Sequence, residues 1–386
     1  MILVIEPVFP NAHHAPSNAG VLMAIGLAAE NEPIAFAAHP AHRDAVFSIL
    51  GDAALVRFDQ HDIDVMPAGG ISLRRFCLQA GTLFDLTRRL RPRLIVCLGT
   101  QPETLFSCRL LKMRHPGVGV IAVLHGNLHQ ATAWRSRDPR RRWFDDRAAL
   151  SAAIGSPTIQ FVVLAQAVAD AAISMGLLPR DRCHVWPLAI PPSEVLDRPH
   201  RLDPNQIRIA FVGSAKRAKG FNEFVALTRQ LAAQSNRYEF SLIGELHETY
   251  ATGQLAHIKV PGGFLERGDF IERLYAVDYI CLPLRDDTYT LTVSAALLDA
   301  IAARKPLIAL PTPAIRHLFN QGPAGFLCDD LAAMADAMGN PDRLADPIQY
   351  GRFRDTLSRL CQERSPAGLA LIIAPLIAPG AQHRVG

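Results

Sequence analysis

The sequence predicts an α/β protein made of two domains, each a parallel sheet covered by helices on both faces. Three observations carry this. Short, continuously apolar runs alternate with helical patterns, which marks strands buried on both sides. The alternation breaks once, at 187–206 (PLAIPPSEVLDRPHRLDPNQ), where five prolines fall within one stretch, and then restarts. The length, 386 residues, suits about two domains of ~100–200 residues, and a 49% hydrophobic, 20% charged composition gives each its own core.

In chain order, residues 1–5 read as the first strand and 9–20 (FPNAHHAPSNAG) as a turn-rich loop. Ser17 or Asn18 is expected to cap a helix over 20–29. Further strands are expected at 34–38, 94–98, 118–124, 159–164 and 184–186, with helices at 73–90, 102–114 and 148–154. The first domain thus covers 1–190, a linker 191–206, and the second domain 207–345. Its strands fall at 207–212, 239–243, 279–282 and 306–310, its helices at 221–233, 270–276 and 291–302. Residues 346–386 form a C-terminal helix and tail that could return to the first domain; 369–377, interrupted by Pro375, packs as a terminal helix. No run reaches the ~18 apolar residues of a membrane span. Two such domains on one linker put a cleft between the carboxyl ends of two sheets, the usual ligand position in this class.

Composition narrows the function classes. Seven cysteines without a CxxC pair read as reduced core thiols of a cytosolic protein, neither a metal site nor a disulfide frame. The start, MILVIEP, has no basic n-region and reads as a strand, not a signal peptide. A net charge of +4 is too mild to argue for nucleic acid. One local exception is 134–144 (WRSRDPRRRWF), with Arg135, Arg137, Arg140, Arg141 and Arg142 between Trp134 and Trp143. Arginines and tryptophans suit stacked nucleic acid or an anionic membrane surface; a solvated loop would read the same way. We take the membrane contact as the expectation.

The chemistry centres on 207–220 (IRIAFVGSAKRAKG), where a buried strand runs into Gly213, a basic loop, Gly220 and a helix. Glycine lets the backbone approach an anion, the helix N-terminus offers N–H groups, and lysine supplies charge. Neither GxxxxGK[ST] nor GxGxxG is present. A plain basic turn remains the alternative.

Three stretches together give this loop a context: 213–220 (GSAKRAKG), 278–284 (DYICLPL) and 298–309 (LDAIAARKPLIA). They resemble, in order and spacing, "G-R-x-x-x-x-K-G", "aD-hhhhPs" and "E-A-x-A-x-G-x-P-V-I-A" of retaining glycosyltransferases of family 4 (glycosyl transferases group 1). In the first half, 120–126 (VIAVLHG) is similar to that family's strand ending in His-Gly. The resemblance implies the GT-B fold: two Rossmann-like domains with parallel sheets, facing each other across a cleft. Some positions depart. The family's arginine after the first glycine is Ser214, so Lys216 or Arg217 would supply charge. Of its two glutamates, Asp299 takes the second position and Leu291 stands at the first; Tyr289 and Ser294 resemble a subgroup reading "Y-x-x-x-x-S-G-x-x-x-[DE]-A".

What the resemblance implies for residues is as follows. Lys219 and Arg217, with His125 near the reacting centre, would be catalytic, neutralising the diphosphate as the glycosidic bond breaks. Gly213, Ser214, Lys216 and Gly220, with Tyr289, Thr292 and Ser294, would bind the donor, and Asp299 would accept its ribose hydroxyls. His13, His14 and Asn18 would lie on the acceptor side. The expected activity is transfer of a sugar from a nucleotide-sugar to a saccharide or lipid-linked acceptor in cell-surface or exopolysaccharide synthesis. Retention, no metal site, no cofactor beyond the nucleotide-sugar substrate, no nucleic-acid partner, and a cytoplasmic location with peripheral membrane contact complete the expectation. The Asp62-Ile63-Asp64 string is the one DxD pattern set aside. The alternatives are a GT-B sugar-nucleotide 2-epimerase, which would need cleft carboxylates for proton transfer, and a degenerate sugar-nucleotide-binding subunit, suggested by Leu291 and Ser214.

Overall fold

Each half of the chain is organised by one all-parallel sheet. The computed structural model describes residues 1–379 apart from 13, 30, 67–71, 134–144, 196, 252, 264 and 285–288. The chain divides into two units, Met1–Ser193 with Glu363–Gly386, and Glu194–Gln362.

In the first unit the strands are β1 (Ile2–Glu6), β2 (Ile34–Ala38), β3 (Phe58–Asp62), β4 (Leu94–Cys97), β5 (Gly119–Val123), β6 (Ile159–Val163) and β7 (Cys183–Val185). They lie in the order β3-β2-β1-β4-β5-β6-β7, and every pairing is parallel. The central strands are apolar on both faces because helices cover both. β3 (FDQHD) was not expected: it is an edge strand, and only Phe58 along it is buried. Its terminal Asp62, the first aspartate of the DxD string, pairs with Arg43.

The first helix spans Ala15–Ala28 and begins ahead of the expected 20–29. Its N-cap is His14, at φ 61°, with Pro16 in the first turn and no side-chain cap bond. The capping role expected of Ser17 or Asn18 is therefore wrong. Both sit inside the helix, and Asn18 turns instead to a buried carboxylate.

In the second unit the strands are β8 (Ile207–Val212), β9 (Tyr238–Ile243), β10 (Ile258–Lys259), β11 (Tyr279–Leu282), β12 (Leu307–Ala309) and β13 (Gly325–Leu327). Their order is β10-β9-β8-β11-β12-β13, again all parallel. Its core is aromatic: Phe211 packs 5.0 Å from Phe221 and 5.7 Å from Phe224, centroid to centroid. Helix Pro347–Glu363 joins this core through Tyr350 and Phe353. Helix Pro366–Ile377 packs Leu369, Ile373 and Ile377 into the first unit's core instead, so residues 346–386 are shared out between the units.

The proline-rich stretch is bound along its second part. Arg198 pairs with Glu272 at 2.7 Å, and His200 Nε2 lies 2.7 Å from Asp278 Oδ1. Prolines restrict the backbone here, and side-chain ion pairs tie it to the second unit. Among the described residues no helix is long and apolar enough to cross a membrane.

The two sheets share one plan. In each, the first strand lies centrally, with the second strand on one side and the fourth on the other. Connections leave such a strand pair in opposite directions, opening a crevice at the carboxyl ends. In the first unit that switch point is β1/β4; in the second it is β8/β11.

Candidate functional site

At the β8/β11 switch point the chain is shaped by close backbone contacts. Gly213 follows β8 at φ 99° and Gly244 follows β9 at φ 151°. A Cβ on Gly244 would stand 2.1 Å from the Gly213 carbonyl oxygen. The loop then makes a 3₁₀ turn over Arg217–Lys219 and closes at Gly220, φ 79°, the N-cap of helix Phe221–Gln234. A Cβ on Gly220 would lie 2.0 Å from the Pro283 carbonyl oxygen, just beyond β11. The first and second motifs therefore touch, and only glycine fits where they meet.

This loop carries three cations. Lys216 and Arg217 are exposed, Lys219 is half-buried. Burial, and then the neighbouring Lys216 ammonium, hold the Lys219 pKa below its ordinary value. Among the described residues no carboxylate forms an ion pair with any of the three. The Arg217 backbone N–H donates to Glu248, at 2.5 Å. Ser214 lies partly buried between Gly213 and Ala215.

Helix Ala295–Ala303 follows β11 and starts later than the expected 291. Ser294 is its N-cap and shares a hydrogen bond with Tyr289. Tyr289 and Leu291 are both buried, while Thr292 is partly exposed. Leu291, where the family has glutamate, is thus core. Asp299, 14% exposed, sits one turn into the helix. Arg267 Nη1 donates to its Oδ1 at 3.3 Å. The same guanidinium grips Glu194, with Nε to Oε1 at 2.9 Å and Nη2 to Oε1 and Oε2 at 2.8 and 2.7 Å. Burial pushes the Asp299 carboxyl up to about 6, with Arg267 working against it and Glu194 adding to it.

Neither Arg267 nor Glu194 was among the expected residues. A signal existed for Arg267: it is the first residue of helix Arg267–Ala276, where a cation opposes the macrodipole and calls for an external anion.

In the first unit the crevice is polar without being charged in the same way. Glu6, the last residue of β1, is 0% exposed. It accepts from the Val8 N–H at 2.9 Å, the Phe9 N–H at 3.3 Å and Asn18 Nδ2 at 3.0 Å. A Cβ on Gly99, after β4, would lie 2.4 Å from Glu6 Oε1, so the carboxyl rests on that glycine. Burial pushes the Glu6 pKa up to about 7, against these three hydrogen bonds. Asn18 Nδ2 also lies 3.1 Å from His42 Nε2, and His42 Nδ1 lies 2.6 Å from the Asn11 carbonyl oxygen. A carbonyl only accepts, so Nδ1 carries the proton. Burial lowers the His42 pKa, which leaves the ring neutral with Nε2 accepting from Asn18.

His125 follows β5. Its Nε2 donates to the Leu98 carbonyl at 2.7 Å, and burial lowers its pKa, so Nδ1 is the acceptor atom of a neutral ring. The His14 ring lies 5.0 Å from that of His125 and 4.5 Å from Phe9, centroid to centroid. The structure thus brings His14, Asn18 and His125 to one end of one sheet. His13 and the arginine-rich 134–144 lie outside the described residues. Sequence reasoning missed Glu6 and His42; a carboxylate closing an otherwise apolar strand was the available signal.

Residues 206–340 match the family model described as Glycosyl transferases group 1. That match lies wholly within the second unit. No curated protein sequence matches the chain. Among solved structures, the chain is similar to HepE from Anabaena in complex with UDP and glucose. That match has 13% identity and a TM-score of 0.65, covering 98% of this chain and 100% of that one. It is also similar to sucrose-phosphate synthase from Thermosynechococcus elongatus, at 13% identity and TM-score 0.66, over 97% and 98% of the two chains. A third is WaaG, a glycosyltransferase involved in lipopolysaccharide biosynthesis, at 13% identity and TM-score 0.58, over 98% and 100%. These likenesses establish a GT-B fold of two Rossmann-like domains.

Proposed function

We propose, from the premise that residues 206–340 form a glycosyl transferases group 1 domain, that this chain transfers a sugar from a nucleotide-sugar to a saccharide or lipid-linked acceptor. The observation that carries the reading is the loop 213–220. It packs by glycine contacts against Gly244 and Pro283, and two lysines adjoin there closely enough for one to depress the other's pKa. Among the described residues neither has a carboxylate in ion pair, so the loop is built to receive an anion. A departing nucleoside diphosphate is such an anion, and its charge grows as the glycosidic bond breaks. Preorganised cations stabilise that growth most when no reorganisation is needed.

Asp299, a carboxylate acceptor on the helix that follows β11, fits the ribose hydroxyls. His125, with Nδ1 as acceptor, fits the sugar or acceptor hydroxyl near the reacting centre, and His14 with Asn18 fits the acceptor side. Thr292 and Ser294, ahead of helix Ala295–Ala303, fit phosphate oxygens; Tyr289, bonded to Ser294, supports that corner. We read the reaction as retaining, with lysines carrying the diphosphate charge in place of a metal ion; this rests on motif resemblance and on the adjoining lysines. HepE was solved with UDP and glucose and WaaG is involved in lipopolysaccharide biosynthesis, which favours a glycan-building role; the seven cysteines without a CxxC pair favour the cytoplasmic side. The arginines of 134–144 would supply peripheral membrane contact there.

Thermal-shift titration with UDP, ADP, GDP and CDP tests the reading. One of them should stabilise the chain, by about 2.7 kcal/mol at 100 times its dissociation constant. A chain indifferent to all four would sink the nucleotide-sugar reading.

A further inference from the structure

We propose that Arg267 is a positioning residue for the donor: clamped by Glu194, it sets the direction and charge of Asp299, the ribose acceptor. This rests on the reading of Asp299 above and extends it to two residues that no motif marks.

The geometry is that of a clamp with one free prong. Glu194 takes Nε and Nη2 of the guanidinium through three hydrogen bonds between 2.7 and 2.9 Å. That fork-to-fork arrangement fixes the guanidinium plane. Phe270, three residues further along helix Arg267–Ala276, lies 5.1 Å from the guanidinium carbon and supports it. Nη1 is left over, and it reaches Asp299 Oδ1 at 3.3 Å. Among the described residues nothing donates to Oδ2, the oxygen left for a ligand hydroxyl. An ion pair serving only to fasten the proline-rich stretch would be complete with Glu194 alone. The longer fourth bond, aimed at the one carboxylate in the third motif, is what such fastening does not require.

Two charges face Asp299, and they oppose each other. Arg267 favours the ionised carboxylate, Glu194 and burial favour the protonated one. A ribose hydroxyl needs the acceptor form. The clamp therefore decides over which pH range the donor binds, and removing its two members must move that range in opposite directions.

The test is calorimetric titration of the full chain between pH 5 and 8.5 with UDP, and with ADP and GDP as further probes. Asp299→Asn supplies the baseline, because the diphosphate itself titrates with a pKa near 6 in every variant. Relative to that baseline, wild-type affinity should fall as pH drops through about 6. In Arg267→Gln the midpoint should rise by about one to three pH units, and in Glu194→Gln it should fall by about one. Arg267→Lys should return it toward wild type. A midpoint is insensitive to a reduced folded fraction, and Glu194→Gln and Arg267→Lys are near in size to the native residues. Midpoints unchanged in all three variants would make Arg267 a structural fastening and overturn the inference while leaving the nucleotide-sugar reading in place. Wild type binding none of the probes would overturn both.

Discussion

The two sheets share the order of their first six strands, the first sheet adding a seventh at its edge, yet their switch points carry opposite chemistry. At β8/β11 the loop is glycine-shaped and cationic, with Lys216, Arg217 and Lys219 on a backbone packed against Gly244 and Pro283. At β1/β4 the ligand end holds Glu6, Asn18, His42 and Gly99, joined by hydrogen bonds with no ion pair to Glu6 among the described residues. One crevice keeps charges ready; the other suppresses them by burial, lifting a carboxyl to about 7 and keeping two imidazoles neutral. A shared topology thus places a crevice without dictating what it binds. The charged crevice suits a diphosphate, the neutral one hydroxyl groups that need orientation more than neutralisation.

Lys219→Ala strikes the charged crevice hardest. Removing one preorganised donor to developing charge typically costs ~100–1,000-fold in rate. Lys219 is only half-buried and lies in a loop whose shape is held by glycine contacts, so the fold should persist and the melting temperature change little. Turnover of a nucleotide-sugar measured by product formation checks this. Near-normal turnover would mean that the diphosphate is held elsewhere, and the contrast between the two crevices would lose its functional meaning.

Glu6→Gln probes the neutral crevice through stability. The Glu6 pKa is raised from 4.5 to about 7 in the folded chain. The folded state therefore holds a proton that the unfolded state releases, and this contribution is present below about 4.5 and lost as pH rises through about 7. At 1.36 kcal/mol per pH unit the loss is about 3 kcal/mol. Urea unfolding of wild type and variant at pH 5, 6, 7 and 8 should show wild type losing ground by roughly that amount across the window. His42 titrates in both proteins, so the difference isolates Glu6. Parallel curves would mean a fixed anion sits at β1/β4, and the first crevice would be as charged as the second.

The same contrast explains what was legible in the sequence. Continuous apolar runs revealed β1, β4, β5, β6, β8 and β11 because burial on both faces demands them. β3 escaped because an edge strand tolerates Asp59, Gln60 and His61, and β10 because it is two residues long. At β8/β11 the glycine-shaped turn through Gly213 and Gly220 could be read, since one loop supplies both at fixed spacing. The pair Arg267–Glu194 could not, because the fold joins residues 73 apart in the chain, and Glu6–Asn18 could not, because it depends on how the loop between β1 and the first helix folds back. The helix cap at Ser17 or Asn18 was misread because capping rules weigh residue type, while the helix starts at Ala15, with Pro16 in its first turn, and so takes both residues inside it. Arg304 is a further case, standing at φ 51° where the family pattern has glycine, its side chain buried and bonded to the Ala302 carbonyl.

The finest test lies within the charged crevice, between its two lysines. Lys216 is exposed and Lys219 half-buried, so water and salt screen the first far more than the second. Lys216→Ala should therefore weaken binding of the stabilising nucleoside diphosphate by about fivefold or less at 0.1 M salt. Part of that loss is offset, because the Lys216 ammonium lowers the Lys219 pKa, and without it Lys219 holds its proton more firmly. At 1 M salt, where the Debye length is ~3 Å, the loss should vanish, while the rate penalty of Lys219→Ala should remain. Titrations at both salt concentrations decide the matter. If Lys216→Ala costs as much as Lys219→Ala at either salt, the exposed lysine carries the diphosphate. The glycine packing that sets the depth of Lys219 would then not be what shapes the site.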